Sequence, residues 1–250
     1  RKLTRMDSQG NIEVLGFRPE DLTLWGRVFG GSLYDEANQR VTAADPAIVR
    51  ALEWMASYNE FLDPLKVDTF NSGLGNYWSP NNPFFAGKKA IDVYGEWIVW
   101  FGEKYNPDLR YSLFGFPSPE GQVYTVFGGS MFAIPRNAKH PKEAWTFLEW
   151  LSRPEVMKQV TMAFTNMPPR MSVAKDPEVL KRIHVLNVTI PLMEGPNAIT
   201  ALSMPVFEQY MQELAKAEQL VRNGRMGARQ ALEEVSARVQ QELDRFMRRR

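Results

Sequence analysis

The 250-residue sequence has no cysteine and only two histidines, His140 and His184. The first absence excludes a disulfide framework, a thiolate metal site and a cysteine nucleophile together. The two histidines stand far apart, one before a helix-opening proline and the other between Ile183 and Val185, so the usual histidine spacing of a zinc or two-histidine iron site is missing. Long apolar runs are missing too. Nothing approaches the roughly 20 residues that cross a bilayer, and Arg1-Lys2-Leu3-Thr4-Arg5 lacks the hydrophobic centre of a signal peptide. Thirty basic against 29 acidic residues leave a net charge of +1, too little to make nucleic acid or an anionic membrane the main partner. There is no G-x-S-x-G elbow and no G-x-x-x-x-G-K-[ST] loop, and Gly26, Gly30 and Gly31 do not form a dinucleotide fingerprint. No cofactor or metal is expected. What remains for catalysis is a pair of carboxylates. Asp92 and Glu96 are the candidates, in the manner of a glycosidase, although 29 acids make such a pair a weak signal.

What the chain does have is aromatic residues in unusual places. Seven tryptophans, eight tyrosines and 15 phenylalanines include Trp25, Tyr34, Tyr77, Trp78, Tyr94 and Trp97, all in loops or beside glycine. Sugars present an apolar C–H face and a rim of hydroxyls, so flat rings flanked by Asp, Glu, Asn or Arg suit them. Trp25 fits a groove or a core equally. Trp54, Trp100, Trp145 and Trp150 sit inside apolar helical patterns and read as core.

The most informative stretch is Asn82 to Trp97. Asn82 and Pro83 read as cap and first residue of a short helix stopped at Gly87. A strand Lys89 to Tyr94 follows, then a turn at Gly95 that delivers Glu96 and Trp97 to an apolar run. Elsewhere, Asp7 to Asn11 reads as a hairpin tip, Asp21 to Phe29 as a short helix stopped by Gly30-Gly31, and Asp45-Pro46 as the start of a core-facing helix. Asp63 to Pro80 reads as a long aromatic loop, Arg110 to Phe116 and Gln122 to Ile134 as strands, and Pro141 as a helix start. Ser152 with Glu155 forms a capping box, and Met167-Pro168-Pro169-Arg170 must leave helix. Asp176-Pro177 caps a helix to about Leu186. Two long helices finish the chain, the last with Leu232, Val235, Val239, Leu243 and Phe246 on one face. Short strands alternating with helices, and a helical C-terminal third, argue an α/β fold.

Several of these segments share a pattern. Phe84-Phe85-Ala86-Gly87-Lys88-Lys89-Ala90-Ile91 followed by Gly95-Glu96-Trp97 resembles the F-x-x-G-K-A-A-M…G-x-W signature of extracellular solute-binding proteins of the sugar-type ABC-importer class, the maltose-binding-protein-like family. Phe29-Gly30-Gly31-Ser32-Leu33-Tyr34-Asp35 resembles its F-G-G-x-L-Y-D. Thr42 to Trp54 resembles its T-x-x-x-P helix, and Phe127-Gly128-Gly129 through Leu148 its glycine pair, apolar strand and H-P-E-E-A-W-x-F-L helix. Met167 to Arg170 resembles its P-x-R loop.

The resemblance implies a periplasmic-binding-protein-like C-terminal lobe with part of the N-terminal lobe: 1–125 as the first part of the C-terminal lobe, 126–170 as the hinge crossing and N-terminal-lobe remnant, and 171–250 as the helical return. It implies capture of a small solute, most simply a sugar, for delivery to ABC permease subunits. The location implied is periplasmic or extracellular, with a lipoprotein anchor possible in the full-length form. Trp97 would stack on a sugar ring beside Tyr94 and Glu96. Trp25, Gly30 and Gly31 would line the opposite wall, Gly129 would offer backbone groups at the hinge, and Arg170 would bond a hydroxyl or an anion. Ser130 and Met131 follow the glycine pair where relatives often carry an aromatic residue. The chain resembles the family only from after its N-terminal lobe. Trp145, Phe147, Leu148 and Trp150 are therefore expected to repack, to meet a second copy, or to leave an apolar surface that drives self-association.

Overall fold

The computed structural model describes residues 1–76 and 78–249. Strands β1 (Arg5–Met6) and β2 (Ile12–Val14) form an antiparallel hairpin, its tip fastened by the Asp7 carboxylate accepting from the backbone N–H groups of Gln9 and Asn11. Helix α1 (Leu22–Val28) starts at Asp21, whose carboxylate accepts from Thr23 N and Leu24 N. A second hairpin pairs β3 (Tyr34–Asp35) with β4 (Arg40–Val41). Helix α2 (Pro46–Ser57) follows the expected Asp45-Pro46 start.

The expected aromatic loop begins as a helix instead. Helix α3 (Pro64–Ser72) is capped by the Asp63 carboxylate at Leu65 N, with Pro64 in its first turn. This is the same Asx-Pro signal that starts α2, obscured here by the weak apolar periodicity that follows it. Tyr77, from the same segment, lies outside the described residues.

After α4 (Ile98–Tyr105), strand β5 (Phe116–Pro117) pairs antiparallel with β6 (Val123–Val126). The expected strand at 110–116 is thus reduced to its last residue and Pro117, and the one at 122–134 stops at Val126, before Gly128-Gly129, which leave the chain irregular. Helices α5 (Pro141–Leu151) and α6 (Pro154–Phe164) come next. The expected capping box is absent: Ser152 Oγ donates to Glu149 O, and Arg153 occupies the N-cap of α6 without a side-chain bond, since Pro154 shifts the start by one residue. Beyond the proline loop lie α7 (Met171–Ala174), α8 (Pro177–Arg182) and α9 (Leu186–Met193), so the helix expected from Asp176 to Leu186 ends four residues early. Strand β7 (Ala198–Ile199) adds to the sheet in the order β5-β6-β7, and α10 (Phe207–Arg222) and α11 (Ala228–Arg248) close the chain.

These elements form two compact units. The first comprises residues 1–92, 116–126 and 199–250. Its core joins α1, α2, α10 and α11 through Leu22, Val28, Ile48, Leu52, Met55, Leu214, Leu232, Val235, Val239 and Leu243. Tyr210 is enclosed there and donates its hydroxyl to Leu33 O at 2.8 Å. The second unit comprises 93–115 and 127–198. It buries Val99 and Phe101 of α4, Val156 of α6, and Val173, Val179, Ile183, Leu186 and Ile190 of α7 to α9. Arg182 of α8 pairs with Glu103 of α4, and Lys158 of α6 with Asp176 at 2.9 Å. This division differs from one cut at 126 and 171, since 93–115 and 171–198 both pack with the second unit.

One expectation about burial is corrected. Helix α5 contributes no buried residue, and Trp145, Phe147 and Trp150 are 63, 54 and 46% exposed. The two tryptophans expected in a core lie on the surface, because Ala144, Leu148 and Leu151 take the inward side of α5 and leave its aromatic flanks uncovered. Met131 and Phe132 are exposed as well.

Candidate functional site

The stretch from Asn82 is built by turns rather than by the expected helix and strand. Asn82 is buried and its Oδ1 accepts from Phe84 N at 2.9 Å, while Ala86 N returns to Asn82 O. Gly87 then takes φ +66°, which reverses the chain at once. In place of the strand there is one parallel bridge, Leu15 to Lys89, flanked by bonds from Leu15 N to Lys88 O and from Ala90 N to Leu15 O. The chain is therefore extended here, but only the hairpin's exit segment pairs with it. Lys89 closes on Asp92 at 2.8 Å, and both side chains are largely buried.

Val93 begins the second unit's first segment. Tyr94, Glu96 and Trp97 are half-buried, and α4 starts directly after them, with Val99 N bonded to Glu96 O and Phe101 N to Trp97 O. Gly95 is required by the indole that follows it. A Cβ at this position would sit 2.2, 2.3 and 2.6 Å from three ring carbons of Trp97. The ring therefore folds back over its own backbone, and only glycine leaves it room.

Glu96 has a defined partner. Its Oε1 accepts from Met167 N at 2.7 Å, the short distance of a charge-assisted bond, across 71 residues of sequence. This fastens the Gly95-Glu96-Trp97 turn to the Met167–Arg170 loop of the same unit. Arg170 is exposed and reaches Ser152 O with Nη2 at 3.4 Å, a long contact. Gly129 is exposed with open space around its α-carbon. Tyr94, Glu96, Trp97, Gly129 and Arg170 thus all belong to one unit.

Trp25, Gly30 and Gly31 belong to the other. Trp25 is 5% exposed and packs edge-on against Phe17 and Phe116 and tilted on Trp54, at centroid distances of 5.9, 5.7 and 4.8 Å. Its Nε1 is buried with no acceptor among the described residues. A Cβ at Gly31 would lie 2.5 Å from Ile48 Cδ1 and 3.0 Å from Gly26 O, so the buried Ile48 would have to shift to admit it. Both residues serve packing in the first unit. Gly30 takes φ +86°, and a Cβ placed on it would meet nothing within 4 Å, so it lies open at the surface of that unit.

The carboxylates raised as a catalytic pair have other engagements, Asp92 with Lys89 and Glu96 with a backbone N–H. Among the described residues no group of three or more histidines and acids could hold a metal ion, and no helix is long and apolar enough to cross a membrane. The Glu96–Met167 link was not legible in the sequence, where two segments 71 residues apart carry no mark of contact.

Comparison with known proteins places this architecture. The spermidine/putrescine-binding periplasmic protein of Escherichia coli is 28% identical over 165 residues, 64% of this chain and 43% of that protein. The maltotriose-binding protein of Pyrococcus abyssi is 23% identical over 159 residues, 61% of this chain and 33% of that protein. The solved structure of CpMnBP1 with mannobiose bound superposes with a TM-score of 0.78 at 25% identity, over 94% of this chain and 60% of that one. The chain thus spans about a third to two fifths of the length of the curated relatives it matches. Its fold is that of the periplasmic-binding-protein-like sugar-binding proteins. The family profile described as bacterial extracellular solute-binding protein matches residues 8–186, and on that match the chain belongs to the bacterial extracellular solute-binding protein family.

Proposed function

We propose that this chain is part of the solute-capturing component of an ABC importer, and that its solute is a carbohydrate. Family membership over residues 8–186 is the observation that carries the reading. The second unit supplies chemistry that suits a sugar: the Trp97 indole held in place over Gly95, with Tyr94 beside it, to meet the apolar face of a ring. Arg170, free of any carboxylate partner among the described residues, is the group for a hydroxyl or an anionic substituent, and Gly129 offers unshielded backbone. A polyamine, the solute in the name of the Escherichia coli relative, would call for carboxylates, and Glu96 already has one oxygen engaged by Met167 N. Binding without turnover is the proposed activity, followed by delivery to membrane permease subunits from a periplasmic or extracellular position, by way of a lipoprotein anchor in the full-length protein. The bare aromatic flanks of α5 are proposed to associate with a second copy when nothing else covers them.

Titration calorimetry with mannobiose, maltotriose, spermidine and putrescine tests the reading. Heat is expected with a saccharide and none with either amine, and Trp97→Ala should weaken the saccharide at least tenfold. Binding of an amine alone, or saccharide binding indifferent to Trp97→Ala, refutes it.

A further inference from the structure

Residue Thr165, at the C-terminal end of α6, combines two costs. It holds φ +56° and ψ +23°, a left-handed conformation that β-branched residues adopt only under constraint. It is also fully buried, and its Oγ1 has no hydrogen-bond partner among the described residues. Glycine would fill this cap position at no steric cost. Two residues on, the chain reaches Met167, the last backbone N–H before the two prolines, and that N–H is the one held by Glu96. The strained cap and the carboxylate clasp therefore bracket the same short loop, which ends in Arg170 resting on Ser152 O at the long distance of 3.4 Å. Strain of this kind persists only where surrounding contacts over-determine it.

We propose that Glu96 is a positioning residue: its bond to Met167 N latches the 166–170 loop against the strain stored at Thr165, and release of the latch frees the loop to re-aim Arg170. In the latched loop Arg170 is parked on a carbonyl. In the released loop the Thr165 backbone relaxes, its hydroxyl gains a partner, and Arg170 can turn toward a hydroxyl-rich or anionic solute. The last step rests on the solute-binding reading above; the latch itself does not.

Amide hydrogen exchange resolved by NMR on the solute-free chain tests the latch, so that its failure is separate from a failure to bind any solute in calorimetry. Glu96→Ala should speed exchange at Met167 by about tenfold or more while leaving Ile190 of α9 protected. Glu96→Gln, which keeps a carbonyl acceptor in place, should restore much of the protection. Thr165→Gly, which removes the strain and the orphaned hydroxyl, should slow Met167 exchange severalfold. Unchanged Met167 exchange in Glu96→Ala, loss of Ile190 protection along with it, or faster Met167 exchange in Thr165→Gly would each overturn the proposal.

Discussion

Gly95→Ala is the most direct probe of the candidate site. The added methyl would lie 2.2 Å from the nearest Trp97 ring carbon, whereas ordinary contact begins at 3.4 Å, so the indole must retreat by about 1.2 Å. Overpacking of this size costs about 1–3 kcal/mol, and the half-buried ring can yield toward solvent, which puts the expectation in the lower half of that range. The conflict involves a single partner, so it should disappear when the partner is removed. Trp97→Ala alone loses ring burial worth about 2 kcal/mol, roughly half the cost for a fully buried tryptophan. The double variant should then be no less stable than Trp97→Ala, giving a coupling energy of about 1 kcal/mol or more. Because the chain has two units and need not unfold in one step, stability is best read from native-state exchange of second-unit amides such as Ile190 in increasing urea. Strictly additive effects would refute the argument, since they would show that the methyl collides with something other than the indole. If the ring carries the sugar face as proposed, the same retreat weakens saccharide binding by about tenfold, a loss of about 1.4 kcal/mol.

Two further expectations concern the rest of the molecule. Trp145, Phe147 and Trp150 together expose about 300 Å² of ring, if each presents about 200 Å² in full, which corresponds to about 8 kcal/mol of gross burial energy per copy against an association cost of about 4–15 kcal/mol. Sedimentation equilibrium should therefore show concentration-dependent association at micromolar levels that replacement of all three by serine abolishes; a monomer at every concentration would count against it. Glu213 of α10 bonds Lys216 at 2.8 Å and Arg238 of α11 at 2.7 Å, and these contacts hold its pKa below the usual 4.5. A lowered folded pKa adds stability that is fully present above the unfolded value and is lost as pH falls through the folded one. Glu213→Gln should cost about 0.2–1 kcal/mol at pH 7. Urea midpoints should fall less steeply for the variant than for the parent between roughly pH 5 and 3, and parallel curves would contradict the assignment.

Much of the local structure was written in short-range chemistry. Asp21, Asp45 and Asp176 each cap the helix that follows them through their own side chains, and the apolar stripe of α11 at Leu232, Val235, Val239 and Leu243 is the face that the first unit buries. Such signals survive in a linear sequence because partner and target lie within a few residues. The segment patterns behind the family resemblance are legible for the same reason. Failures came where the local signal was weak or tertiary contact competed with it. Asp63-Pro64 started a helix with little amphipathic character, and Lys89 found only the exit of a hairpin to pair with.

The sequence alone determined the absence of thiol chemistry, the near-neutral charge, the caps at Asp45 and Asp176 and the Gly95-Glu96-Trp97 turn. Tertiary structure decided which rings are exposed and which are core. Trp25 is enclosed by Phe17, Trp54 and Phe116, whereas Trp145 and Trp150, in equally apolar company along the chain, lie open. Burial depends on what packs from elsewhere in the chain, and no short-range pattern records it. The bond from Met167 N to Glu96 was decided in the same way, by the fold bringing together a turn and a loop 71 residues apart.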